Sequence, residues 1–402
     1  MAAPGGEALR FDVVVVGAGI MGSCAAYAAA SRGARVLLLE RLDLLHHRGS
    51  SHGESRATRA TYAQARYAPL LRLAARLWDD AQADAGYRVL TPTPQLDMGP
   101  RGDAALRAAM RNGGAAEVAG DAWPGAGVFR VPDGCTAAVS AQAGVIKATK
   151  AVAMFQALAV KKGAVVRDRT EIVDITKRGE GSIVVKTGSG EEFHGAKCIV
   201  TVGAWTSKLV KSVTGMNLPV QPLHTVLCYW KVKPGREREV TPEAGFPTFA
   251  SYGDPIIYGT PSMEFPGLIK IAMHGGAPCD PDCRDWSAGG ALVEPVARWI
   301  DAVMPDHVDT AGGPVIRQSC MYSMTPDDDF VIDFLGGEFG KDVVVGAGFS
   351  GHGFKMAPAV GRILAEMAMD GEARTAAEAG VELQHFMIGR FVDNPKGNLK
   401  DS

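Results

Sequence analysis

Gly17, Gly19 and Gly22 stand as Gly-x-Gly-x-x-Gly directly after the apolar run Phe11 to Val16 and at the head of an alanine-rich stretch, Ser23 to Ser31. Small residues at that spacing let the backbone approach a pyrophosphate, and a helix beginning there offers the anion its free N–H groups. Glu40 closes a second apolar run, Arg35 to Glu40, where an acid can accept hydrogen bonds from both hydroxyls of an adenosine ribose. The pattern predicts a dinucleotide site and does not separate FAD from NAD. A second chemical set lies in Gly49-Ser-Ser51-His52-Gly-Glu-Ser55-Arg56-Ala-Thr-Arg59. Guanidinium groups fork onto carboxylates and stack on planar rings, so Arg59 can hold a carboxylate while Arg56 lies against a ring system. Composition alone leaves a solvated basic loop open as well.

The elements around these residues read as strand, helix, strand over Phe11 to Glu40, which is a βαβ unit. Arg41 to Arg59 has no apolar period and is expected to be a long loop. Pro69 is expected to start an amphipathic helix that stops at Gly86, and Lys147 to Lys162 to form another ended by Gly163. Strands follow at Val165, Ile172 to Ile175, Ile183 to Lys186 and Cys198 to Val202, with a hairpin turn at Thr187 to Gly190. From about Pro219 to Ser319, runs rich in Val, Tyr, Trp and Phe alternate with proline-bearing turns, which predicts a mainly antiparallel sheet. Val343 to Val345 then returns to a buried strand, followed by the glycine-rich turn Gly346 to Gly351 and a helix from about Met356.

With 402 residues the chain exceeds what one core usually supports, so two domains are expected. A composition 47% apolar and 21% charged is that of a globular protein, and a net charge of -2 without a basic face argues against nucleic acid. No apolar run is long enough to cross a bilayer. Met1 to Arg10 lacks a secretory pattern, and Lys400-Asp401-Ser402 is not the Ser-Lys-Leu peroxisomal signal, so cytosol and peroxisome both stay open. Seven scattered cysteines fit a reducing compartment. Cys279 and Cys283, like the adjacent His46 and His47, lack partners at zinc spacing, and no metal is expected.

Arg317 to Asp333, with Cys320, Tyr322 and Pro326, resembles the flavinylation segment of the monomeric sarcosine oxidase and pipecolate oxidase family, within the wider D-amino acid oxidase-like superfamily. The N-terminal glycine turn, the Ser51 to Arg59 loop, Gly203-Ala-Trp205 and Gly346 to Lys355 carry the same resemblance, which runs from Phe11 to about Gly371. It implies an α/β (α+β) fold: a Rossmann-like FAD-binding domain from about residues 1-80, 140-215 and 321-402, and a discontinuous, mainly antiparallel β-sheet substrate domain from 81-139 and 216-320. It implies FAD attached covalently through Cys320; taken alone, that residue would read as a small buried hydrophobe. A cysteine thiolate is a good nucleophile for such a bond.

By the same resemblance Arg59 and Lys355 hold the substrate carboxylate, and Tyr258, His274 and Tyr322 line the amine side. Arg56 lies on the ring, and Lys270 stands where oxygen is activated. Ser51, His52, Ser55, Gly348, Gly351 and Lys355 join the glycines, Glu40 and Cys320 in holding the cofactor. Read singly, the two tyrosines could be strand aromatics and His274 a core histidine. The implied reaction oxidises a small secondary amino acid to an imine, with O2 reduced to hydrogen peroxide, in a monomer. One position departs from the family: Gln64 stands where bacterial relatives have a glutamate, which leaves Arg59 less neutralised and keeps L-pipecolate beside sarcosine as substrate. The rivals are a flavin dehydrogenase using another acceptor, an NAD-dependent dehydrogenase, and a catalytically silent flavin-binding protein.

Overall fold

The computed structural model describes residues 10–121, 123–287 and 289–399. The C-terminal tripeptide and most of the N-terminal stretch weighed above lie outside these residues. Two sheets organise the molecule. The first runs in the order Val331–Phe334, Val343–Ala347, Glu192–Val200, β1 (Arg10–Val16), β2 (Val36–Leu39), Val165–Arg167. β1 pairs in parallel with both β2 and Glu192–Val200, and Val343 to Val345 continue the parallel ladder. A sheet covered on both faces needs continuous apolar strands, and that is why β1 reads as an unbroken run. Val13 and Val15 meet α1 (Ile20–Ser31) and the helix Ala357–Asp370, while Val14 and Val16 meet Ile183 and Val185 of an antiparallel meander.

The alanines of α1 serve close packing. A Cβ on Gly361 would lie 2.5 Å from Cys24 Cβ, so the two helices touch nearly backbone to backbone. The amphipathic helix α2 (Tyr67–Ala85) starts two residues before the expected Pro69, because proline in a first turn forfeits no helical hydrogen bond. Its stop at Gly86 is as read, with φ +78°.

The second sheet has eleven strands among the described residues and is mainly antiparallel. Its path runs Ala277–Pro278, Gln221–Val232, Leu268–Met273, Ile257–Thr260, Thr248–Ser251, β4 (Leu90–Pro100), Cys135–Lys147, β3 (Ser55–Arg59). Ile316–Met324 pairs with Gln221–Val232 and brings Cys320 opposite Thr225. Here one expectation is corrected: the last five residues of the supposed loop form β3, paired with Ala143 to Lys147. Its polar composition conceals the strand, since the pairing comes from a partner some ninety residues away and not from local propensity. β3 falls inside the stretch expected to build the nucleotide domain, yet it belongs to the second sheet.

Candidate active site

The first glycine turn is built for close approach. Gly17 takes φ +96°, and a Cβ there would sit 2.5 Å from Thr201 O; one on Gly22 would sit 1.9 Å from Gly17 O. Nothing larger than hydrogen fits. Gly19 faces a cavity of about 330 Å³ whose wall includes Gly17, Glu40, Ser51, His52 and Thr201. Glu40 accepts from the N–H groups of Ala18 (2.9 Å) and Leu42 (3.1 Å), which fixes its carboxylate at the cavity rim. Ser51 Oγ accepts from Ile20 N–H at the head of α1 (3.1 Å). Gly17, Gly19, Glu40 and Ser51 all line this cavity. Trp205, which the composition did not mark, also lines the cavity, with Arg41 5.5 Å from its ring.

Beyond the cavity, Arg56 Nη2 donates to Ser50 O (3.0 Å) and His52 O (2.6 Å) and lies 3.9 Å from Cys320 Sγ. Cys320 is 3% exposed. Buried polar atoms with no hydrogen-bond partner among the described residues crowd this part of the fold: both ring nitrogens of His52, Gln318 Oε1 and the three guanidinium nitrogens of Arg284. Burial, then the cation of Arg56, pushes His52 down to about 3. Orphaned polar groups are costly in a finished interior, so this cluster fits a bound polar cofactor. Together with the glycine cradle and the fixed acid, it makes the residues present fit FAD.

Lys270 is 2% exposed, and its ammonium donates to Ser55 O (2.8 Å) and Ser55 Oγ (2.7 Å). Ser55, expected against the cofactor, thus anchors this lysine. Burial pulls Lys270 down to about 8. Tyr258 OH and Tyr322 OH are 3.4 Å apart, and the His274 ring lies 5.3 Å from that of Tyr322. Burial, followed by the charges of Arg59 and Lys355, lowers His274 to about 4, so it is neutral at physiological pH. Gly351, with φ +74°, passes so close that a Cβ would lie 2.8 Å from the Tyr322 ring and 3.0 Å from His274 Cε1. The second glycine turn therefore packs against Tyr322 and His274. Gly348 instead meets Thr325, 2.4 Å from where its Cβ would be.

Arg59 and Lys355 come from opposite ends of the chain and meet over one ring, with Arg59 Cζ 5.7 Å and Lys355 Nζ 5.4 Å from the centroid of Tyr62. Lys355 Nζ donates to Tyr62 OH (3.0 Å) and His352 O (3.1 Å), while α2 holds the lysine's backbone through Trp78 Nε1 on Lys355 O (2.8 Å). Burial, then Arg59, drives Lys355 down to about 7. Tyr62 is itself steadied by Tyr67, whose ring is 5.1 Å away and whose hydroxyl donates to Asp329 (2.7 Å).

Sequence reasoning missed Tyr62, three residues beyond Arg59, and His352, whose Nδ1 is 3.3 Å from Tyr62 OH. It also missed Asp97. The expectation drawn from Gln64 is corrected: that side chain is exposed, whereas the fully buried Asp97 carboxylate lies 3.6 Å from Arg59 and supplies the anion from β4. An acid inside the run Gln95-Leu-Asp97-Met was the available signal. Among the described residues no group of three or more His, Cys, Asp or Glu is arranged to hold a metal, and no helix is long and apolar enough to cross a membrane.

A family model described as FAD dependent oxidoreductase matches residues 12–367. The chain is 54% identical over 401 residues to a protein of Arabidopsis thaliana named "Probable sarcosine oxidase", covering 98% of this chain and 95% of that one. It is 32% identical over 408 residues to the human "Peroxisomal sarcosine oxidase", covering 97% and 98%. Among solved structures, a variant of NikD, described as an unusual amino acid oxidase essential for nikkomycin biosynthesis, superposes with a TM-score of 0.80 at 21% identity over 98% of this chain and 99% of that one. That last likeness concerns the fold alone.

Proposed function

The chain belongs to the FAD dependent oxidoreductase family, and from that membership we propose that it oxidises a small secondary amino acid such as sarcosine or L-pipecolate to its imine, with O2 as acceptor and hydrogen peroxide as product. The observation that carries this reading is the meeting of Arg59 and Lys355 over Tyr62, beside a neutral His274 and the Tyr258–Tyr322 pair. Two cations at one end and uncharged polar groups at the other suit a ligand with a carboxylate and a neutral amine on adjacent atoms. Names of the relatives support the same substrate class.

When bound, FAD supplies the hydride acceptor and the route for electrons to oxygen. Gly17, Gly19, Gly22, Glu40, Ser51 and His52 would hold its dinucleotide part, Arg56 its ring, and Cys320 would carry the covalent link. The protein's own work is placement. Arg59 and Lys355 fix the carboxylate and thereby aim the amine-bearing carbon, while His274, kept neutral by burial, does not compete with the amine for a proton-poor site. Lys270, held on Ser55, places a cation where oxygen gains charge. Burial of Lys270, Lys355 and Tyr322, with Tyr258 partly buried beside them, limits water and strengthens each of these fields.

The test is a panel of secondary amino acids mixed anaerobically with the purified yellow protein, followed by admission of air. Bleaching of the visible flavin band and stoichiometric peroxide are expected. Absence of bleaching by every member would refute the substrate class, and a bleached band that persists in air would replace the oxidase by a dehydrogenase with another acceptor.

A further inference from the structure

We propose that Asp97 is the internal counter-ion of Arg59 and, acting through it, sets how tightly the pocket holds a ligand carboxylate. The inference rests on the proposed carboxylate clamp and adds to it a specificity-determining residue. Asp97 stands in the middle of β4, between Ala138 and Ala250 on the neighbouring strands, and is 0% exposed. Small neighbours leave room for the acid but no route to solvent. Its Oδ1 accepts from Gln95 Nε2 at 3.0 Å and lies 3.6 Å from Arg59 Nη1; burial raises the proton affinity of this acid, and Arg59 with the side chains of Thr61 and Gln95 works against that rise. A fully buried acid is expensive unless a cation faces it, and Arg59 is that cation.

Arg59 pairs with Asp97, contacts the Tyr62 ring and lies near the Tyr252 hydroxyl, and a quarter of its side-chain surface (25%) is open. That open part is where a ligand carboxylate would lie, with the fully buried Asp97 behind it. A carboxylate arriving there meets an arginine whose charge is already partly cancelled, and it must sit near a second buried anion. Asp97 does not touch the ligand. It works as a positioning residue that weakens the clamp, so that a small amino acid is held loosely enough to turn over.

Two isosteric probes separate charge from shape: propionate and propionamide, titrated against the holoprotein by the change in the flavin spectrum at about pH 8, where Lys355 is largely uncharged. Asp97→Asn removes the charge at constant shape. Propionate should then bind about tenfold more tightly, and propionamide should change less than about twofold. In an Arg59→Gln background the same replacement should leave propionate binding unchanged, since burial without the facing cation keeps Asp97 protonated and neutral. Asp97→Glu should restore the wild-type preference. If the asparagine amide upsets folding, Asp97→Ser removes the charge with less bulk and carries the same expectation. Propionate binding that is unchanged or weaker in the charge-removing variants overturns the proposal. Equal losses for propionate and propionamide in Arg59→Gln alone would instead overturn the clamp on which it rests.

Discussion

Replacing Lys355 by methionine should make the protein more stable and a poorer binder at once. Burial and Arg59 depress this lysine from the usual 10.5 to about 7. The folded value lies below the unfolded one, so between about pH 7 and 10.5 the unfolded chain binds more protons, and stability rises with pH across that window. Below about pH 7 the penalty is fully present. A shift of that size corresponds to roughly 4 kcal/mol of instability near pH 7. Methionine matches the lysine's length without charge, but it strands Tyr62 OH and His352 O, each bond being worth about 1 kcal/mol. The net expectation is a gain of about 2 kcal/mol near neutral pH that vanishes near about pH 9 and becomes a loss of about 2 kcal/mol toward pH 10.5. Urea unfolding of both holoproteins at several pH values measures it. In parallel, affinity for a monocarboxylate should fall as pH rises through about 7 in the wild type, by about ten- to a hundredfold, and should not respond in the variant. Parallel stability curves for the two proteins across the window would show that Lys355 carries its proton in the fold as freely as in water, and the argument from burial would be wrong.

Cys320→Ala should lose flavin from the polypeptide on acid precipitation while retaining part of it in the native state; flavin fluorescence in the denatured wild-type band is the check, and flavin freed from intact wild type would exclude the covalent link. Lys270→Met should slow reoxidation by O2 far more than anaerobic reduction by substrate, and the wild-type reoxidation rate should fall as pH rises through about 8, where this lysine loses its proton. Stopped-flow traces of the two half-reactions separate these, and equal slowing of both would remove Lys270 from the oxygen step.

Some of this protein is local and so legible in its residues. The glycine turn after β1 and the acid at the end of β2 are set by steric rules within a few residues: Gly17 and Gly22 tolerate no side chain because their own turn and Thr201 close over them. The stop of α2 at Gly86 is equally local, as is the continuous apolar character of a strand covered on both faces. Family motifs also named the residues that gather at the site. What they could not convey was which side chains answer which. Ser55 answers Lys270, because the pairing of β3 with Ala143 to Lys147 aims successive side chains to opposite faces. Tyr62 became the plate shared by two cations that are nearly three hundred residues apart. Asp97, an acid inside an otherwise uncharged run, became the partner of Arg59 only because two strands of one sheet brought it within 3.6 Å of the guanidinium. Propensity and spacing determine turns, caps and apolar faces, since those depend on neighbours along the chain. Charge balance and proton affinity inside the site depend on burial and on distant neighbours, and those quantities come into being only when the sheets assemble.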